Sequence, residues 1–535
     1  MCANQWNWTL TSLRYGAALA LMGLVPIGAS AQQAEPLSAI NWLSNTVSTP
    51  AAPNLPPITT KPSRKEADVT RSASVESVTV RPLGATSRDG VGILPRSVTG
   101  FPADFWGSSD VTELRRALAA LPLEQLPAAQ NLTRMVLLAE VAPPQNADLS
   151  GALFSARLDA LLARGLLEET GALLDRAGAL KGARPDPALF RRAFDVALLT
   201  GQEDQGCDTL RNAPGISPSL PLRIFCLART GDWPAAALTL ETGKALGQLS
   251  EAEDALLARF LDPELFEGMA DLPLPDPVSP LTFRMHEAIG QPIKTRGLPI
   301  AFAHADLRSN LPWRERIAAG ERLARVGALS ANGLFGIYTE RTPSASGGVW
   351  ERVDAVQRLD RALTAGDAAQ VARHLTRAWA ALGPVGLRPW MAEVFGPQLA
   401  KVELTGAAGT LAFEVLLLTQ SYESAAIDFT PTTQRGRFEV ALATGRLEGA
   451  TPHNEQARAI SDGFTLTDLP PEGAALIESG QTGAAILFAL DLLDSGAEGN
   501  MTDLSNAIAL LRRLGLEDTA RRAGLELLLL PQSAG

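Results

Sequence analysis

"RIFCLARTGDWPAAALTL", Arg223 to Leu240, decides which kind of fold to expect. An apolar helix runs into Thr230-Gly231-Asp232, and a second helix begins at Trp233-Pro234. Glycine reaches positive φ without a Cβ penalty, so Gly231 predicts the chain reversal. Ala236, five residues later, is small enough for the two helices to pack closely. The same signature pairs Gly165 with Thr170, Gly201 with Gly206, Gly445 with Ala450, Gly480 with Ala485 and Gly515 with Ala520. Gly327 and Gly366 keep the turn but place Asn332 and Val371 at the small position. Several intervals fall between 30 and 39 residues, which predicts stacked helical hairpins.

The rest of the chain agrees from about Ser109 onward. Apolar residues recur at spacings of three and four, with little β-branched alternation. Asp110 precedes Glu113 by three residues and Ser250 precedes Glu253 likewise, both signatures of a capped helix start. "TGDWPAAAL" resembles the turn and second-helix start of a tetratricopeptide-type repeat, with Trp233 as its bulky residue and Ala236 as its small one. "AGDAAQVARHL", from Ala365, is a looser match. The resemblance covers roughly a third of the chain and implies an all-α, degenerate TPR-like helical-hairpin solenoid preceded by a disordered N-terminal arm. A non-repeat helical domain is the alternative, since Ala-rich sequence can mimic the signature. The texture also resembles exported helical-repeat proteins of alphaproteobacteria, some of which carry an antifreeze-glycopeptide label. The tandem Ala-Ala-Thr units behind such a label are absent here.

The N-terminus sets the compartment. Arg14 precedes "YGAALALMGLVPIG", which ends in Ala29-Ser30-Ala31. A charged n-region, a short apolar core and a small-x-small site predict a signal peptide over residues 1–31, cleaved after Ala31. The run is short for a membrane span, and no other stretch resembles one, so the mature chain is expected in the periplasm without a span. Cleavage would remove Cys2; an uncleaved anchor is the alternative reading of this segment. In an oxidising compartment the two remaining cysteines, Cys207 and Cys226, suit a structural disulfide better than two buried free thiols. They flank the connection "NAPGISPSLP" symmetrically, at one height on two antiparallel helices.

Residues 32–107 are rich in Pro, Ser, Thr and Val and predict a disordered arm. Two apolar patches interrupt it. Ile40, Trp42 and Leu43 form either a partner-docking motif or a cluster that packs on the same chain. Ile93, Leu94, Phe101, Phe105 and Trp106 are expected to lie along the folded body. Two helical-repeat regions follow, 108–280 and 281–535.

With 47 basic and 58 acidic residues the chain carries a net charge of -11, which argues against nucleic acid as the main partner. Neither a phosphate-binding P-loop, a G-x-S-x-G elbow nor a paired-histidine zinc motif occurs, and the four histidines are scattered. No metal, cofactor or catalytic residue is therefore expected. "YTERTPSASGGVWERVDAVQRLDRAL", Tyr338 to Leu363, fits the repeat least. Its Ser346-Gly347-Gly348 loop leads into a helix, whose N-terminal amides, with Arg341 and Arg352, would suit an anion. An ordinary helix–helix loop, capped by Ser346 with Trp350 in the core, is the plainer reading. The expected function is a periplasmic scaffold that binds another envelope protein. A peptidoglycan-processing accessory or glycan-binding protein and a small-anion binding module are the alternatives.

Overall fold

The computed structural model describes residues 87–179, 186–343 and 345–530. Residues 1–31, expected to be a signal peptide, and the Ile40-Trp42-Leu43 patch lie outside them. The described residues form α-helices and short 3-10 helices without a strand, arranged as an all-α helical-hairpin solenoid. Among these residues no helix is long and apolar enough to cross a membrane.

The hairpin turns follow from local backbone chemistry. Gly165, Gly201, Gly231, Gly327, Gly366, Gly445, Gly480 and Gly515 all adopt positive φ, between 67° and 85°. After each, the next N–H reaches back to a carbonyl of the finished helix, as in Gln202 to Ala197 at 2.8 Å and Leu516 to Leu511 at 2.8 Å. This closes off helix-end carbonyls that would otherwise lack a partner. Thr170, Gly206, Ala236, Ala485 and Ala520 then sit buried in the second helix. A Cβ on Gly206 would meet Phe194 Cδ2 at 2.4 Å, so close packing requires glycine there. Ala450 differs from the expectation. Gly449 turns the chain again (φ 76°), and the next helix starts only after Asn454, whose side chain accepts from Ala457 N. Asp110 caps its helix through Thr112 and Glu113 N–H groups, and Ser250 with Glu253 forms a full capping box.

Each hairpin packs on its neighbours, but the array also folds back on itself. Helices Thr482–Ala497 and Glu517–Leu529, at the end of the chain, pack on Val111–Ala120 and Pro127–Leu138, at its start. Helix Pro187–Thr200 meets Pro280–Ala288 and the 3-10 turn Ile300–Leu307. One large core therefore draws on residues from both sides of position 280, and a smaller one around Phe194, Phe225 and Leu257 fills the hairpins between 190 and 285. The regions 108–280 and 281–535 belong to one compact unit.

That unit begins earlier than composition suggests. Residues 87–107 are part of the body, so the boundary expected at 107/108 lies before Ser87. Phe101, Phe105 and Trp106 are buried, and Phe105 O accepts from Gly483 N at 2.7 Å. Trp106 fills the space where a Cβ on Gly483 would stand, 2.4 Å away. Burying three aromatic rings offsets the ordering entropy that polar composition alone would not.

Arg157 secures the same segment. It is fully buried, and its guanidinium donates to the carbonyls of Leu137 (2.8 Å), Asp89 (3.2 Å), Val91 (2.8 Å) and Ala139 (2.9 Å). Two helices lacking a side-chain cap of their own borrow one from far along the chain. Asp89 Oδ1 accepts from Phe154 N at 2.7 Å, at the start of Ala152–Ala163. Glu526 Oε2 accepts from Ala128 N at 2.9 Å, at the start of Pro127–Leu138. Burial raises both carboxyls, Glu526 to about 8, against the pull of the N–H groups they cap.

Candidate functional site

Where the ends of the array meet its middle, the helices enclose an open cleft of about 1750 Å³. Its walls come from the connection Glu124–Leu126 with helix Pro127–Leu138, the turn after Trp313–Arg325, helices Arg388–Leu399 and Thr482–Ala497, and the loop at Thr419–Ser421. Gln130 draws two of these walls together, its amide donating to Gln125 O (2.8 Å) and Arg325 O (3.2 Å). Arg325 in turn pairs with Glu124 at 2.9 Å.

The lining mixes apolar and charged groups. Trp390 is held by a bond from its indole N–H to Ala331 O (3.0 Å). Arg388 stacks on Trp379 with its guanidinium carbon 4.4 Å from the ring centroid, and burial lowers its pKa. Asp494 and Glu498 lie one helical turn apart on the same wall. Burial, reinforced by Glu498 and Asp491, pushes the Asp494 carboxyl up to about 6. Arg134, on the adjoining wall Pro127–Leu138, pairs with Glu169. The cleft thus offers aromatic, aliphatic and both signs of charged contact.

A smaller cavity of about 360 Å³ adjoins the cleft, with Arg325 and Val385 shared between the two. Gly348 and Arg352 line it, together with Arg296, Arg314, Arg322 and Arg325. Arg352 makes a two-pronged ion pair with the buried Glu321 (2.8 and 2.7 Å), and Tyr338 donates to the same carboxylate at 2.6 Å. Burial and the Glu321 charge hold the Tyr338 hydroxyl well above its ordinary range. Burial also lowers Arg322, and Arg296 and Arg325 add to that while Asp306 opposes it.

The loop residues divide. Gly347 and Gly348 take positive φ (85° and 54°), and Gly348 begins the helix. Ser346 is exposed and supplies no cap, while Trp350 is half-buried against Trp313 at 5.1 Å between ring centroids. Arg341 turns away and pairs with its neighbour Glu340 at 3.3 Å. The arginines that sequence reasoning overlooked, Arg314, Arg322 and Arg325, recur on one face of Trp313–Arg325 at helical spacing, with the small Ala318 between them. That periodicity is visible in the sequence.

Cys207 and Cys226 are buried and disulfide-bonded, joining the second helix of one hairpin to the first helix of the next. A disulfide, and no described helix apolar enough to cross a membrane, are compatible with an exported protein. Among the described residues no group of three or more His, Cys, Asp or Glu side chains is placed to hold a metal ion. No family model matches the chain, and no curated protein or solved structure matches it.

Proposed function

We propose that the protein is a periplasmic, non-catalytic scaffold whose cleft receives a segment of another envelope protein. The observation that carries this reading is the cleft itself. At about 1750 Å³ it exceeds the roughly 300–1,000 Å³ of a small-molecule site. Its aromatic, aliphatic and paired charged lining suits an extended or helical peptide with alternating side chains. Export follows from the signal-peptide pattern over residues 1–31, and the disulfide supports it.

Site-specific photocrosslinking in native cells tests the proposal. A photoreactive residue replaces Gln420, exposed in the cleft, or Leu238, exposed on the helix Trp233–Ala245 away from it. The expected result is a discrete protein adduct from position 420 that position 238 does not give. Equal adducts from both positions, or none from the cleft, would overturn the reading. An adduct degraded by a muramidase and resistant to protease would replace the protein partner with a glycan.

A further inference from the structure

We infer that the smaller, arginine-lined cavity is a binding site for a phosphoryl group, either free phosphate or the phosphate of a larger molecule. Five arginines, Arg296, Arg314, Arg322, Arg325 and Arg352, line it against the single carboxylate of Glu321. The cluster runs against the charge of the whole chain, in which acidic residues outnumber basic ones, 58 to 47. Like charges gathered in a concave site repel one another, and the fold concentrates that repulsion where an anion would relieve it.

Structural pairing accounts for only part of the cluster. Arg352 is spent on Glu321, Arg325 on Glu124, and Arg322 on the hydroxyl and carbonyl of Thr295 (3.1 and 3.2 Å). Arg296 and Arg314 are different. Among the described residues, neither guanidinium has an ion pair or a hydrogen bond, so neither is taken up by a structural polar contact. They approach from separate elements, Arg314 from the first turn of Trp313–Arg325 and Arg296 from the loop before Ile300–Leu307. Two free guanidinium forks beside three tethered ones match the tetrahedral oxygens of phosphate, which each fork can engage through parallel N–H donors. The start of Val349–Ala365, at Gly348, adds the positive end of a seventeen-residue helix. Ala318, Val349 and Val385 supply apolar wall, and about 360 Å³ leaves room for more than the phosphate itself. The inference is independent of the cleft's partner, since phosphate alone is the first probe.

The experiment uses the full mature chain. Inorganic phosphate and glycerol 3-phosphate are titrated against sodium chloride at matched ionic strength, read by thermal shift and calorimetry. Vesicles containing phosphatidic acid are tested by flotation. The expected result is a saturable rise in Tm with phosphate that chloride does not give. Arg296→Ala combined with Arg314→Ala should weaken the affinity by about tenfold or more. Because both side chains are exposed and unpaired, that variant should keep the wild-type circular dichroism and phosphate-free Tm. Tighter binding of glycerol 3-phosphate than of vesicles assigns the phosphate to a soluble ligand, and flotation lost in the variant assigns it to a lipid. A Tm rise that chloride reproduces, or one unchanged in the double variant, would overturn the inference.

Discussion

The carboxyl of Glu526 makes the joining of the array's two ends sensitive to pH. It is buried, it accepts the Ala128 N–H at 2.9 Å, and burial raises its pKa from 4.5 to about 8. A carboxyl whose folded pKa lies above its unfolded value contributes stability that is fully present below pH 4.5. That stability is lost as pH rises through 8. Each unit of pKa shift is worth about 1.4 kcal/mol, so the full span corresponds to about 5 kcal/mol, of which about 3 kcal/mol falls between pH 5.5 and 8. Glu526→Gln keeps an oxygen for Ala128 N–H and has no proton to lose. Asp195 and Asp494, each pushed up to about 6, slope in the same direction in both proteins and cancel in the comparison. Urea unfolding followed by circular dichroism at pH 5.5 and 8.0 measures the difference. The variant should gain about 3 kcal/mol on wild type between the two conditions. Parallel behaviour of the two proteins across this range would refute the argument that Glu526 is protonated in the fold.

The other perturbations address the body's beginning and its cross-link. Arg157→Met should cost about 3–5 kcal/mol, because it strips three buried carbonyls and one half-buried carbonyl of their donor. Proteolysis near residues 87–107 should accelerate in parallel, and a loss under 1 kcal/mol would mean that the aromatic residues hold this segment unaided. Replacing Cys207 and Cys226 with Ala opens a loop of sequence separation 19 and should cost about 3 kcal/mol. A urea midpoint unmoved by reduction of the wild type would contradict that.

What was legible in the sequence was local. A glycine that ends a helix announces its own positive φ, and all eight such glycines behave alike because the reversal needs only the backbone of a few residues. Ala450 shows where the same logic stops, since Gly449 and Pro452 delay the helix until Asn454. Of the residues named for an anion site, Gly348 and Arg352 line the smaller cavity, whereas Arg341, close to them in sequence, does not. The chain instead brings a whole face of Trp313–Arg325 to that point. The borrowed caps were not legible at all. A helix beginning at Gly151 or Leu126 without Ser, Thr, Asp or Asn advertises unmet N–H groups. Nothing local says that Asp89 or Glu526 will meet them, the latter from 398 residues away.

Open helical-repeat arrays change length by gaining or losing a unit, and they fray from either end. Here Phe105 bonded to Gly483 and Ala128 bonded to Glu526 leave neither end free. An inserted hairpin would separate those partners by its own thickness, so the copy number is locked by geometry. Lineages of this protein should therefore vary in loop length and surface far more readily than in the number of hairpins.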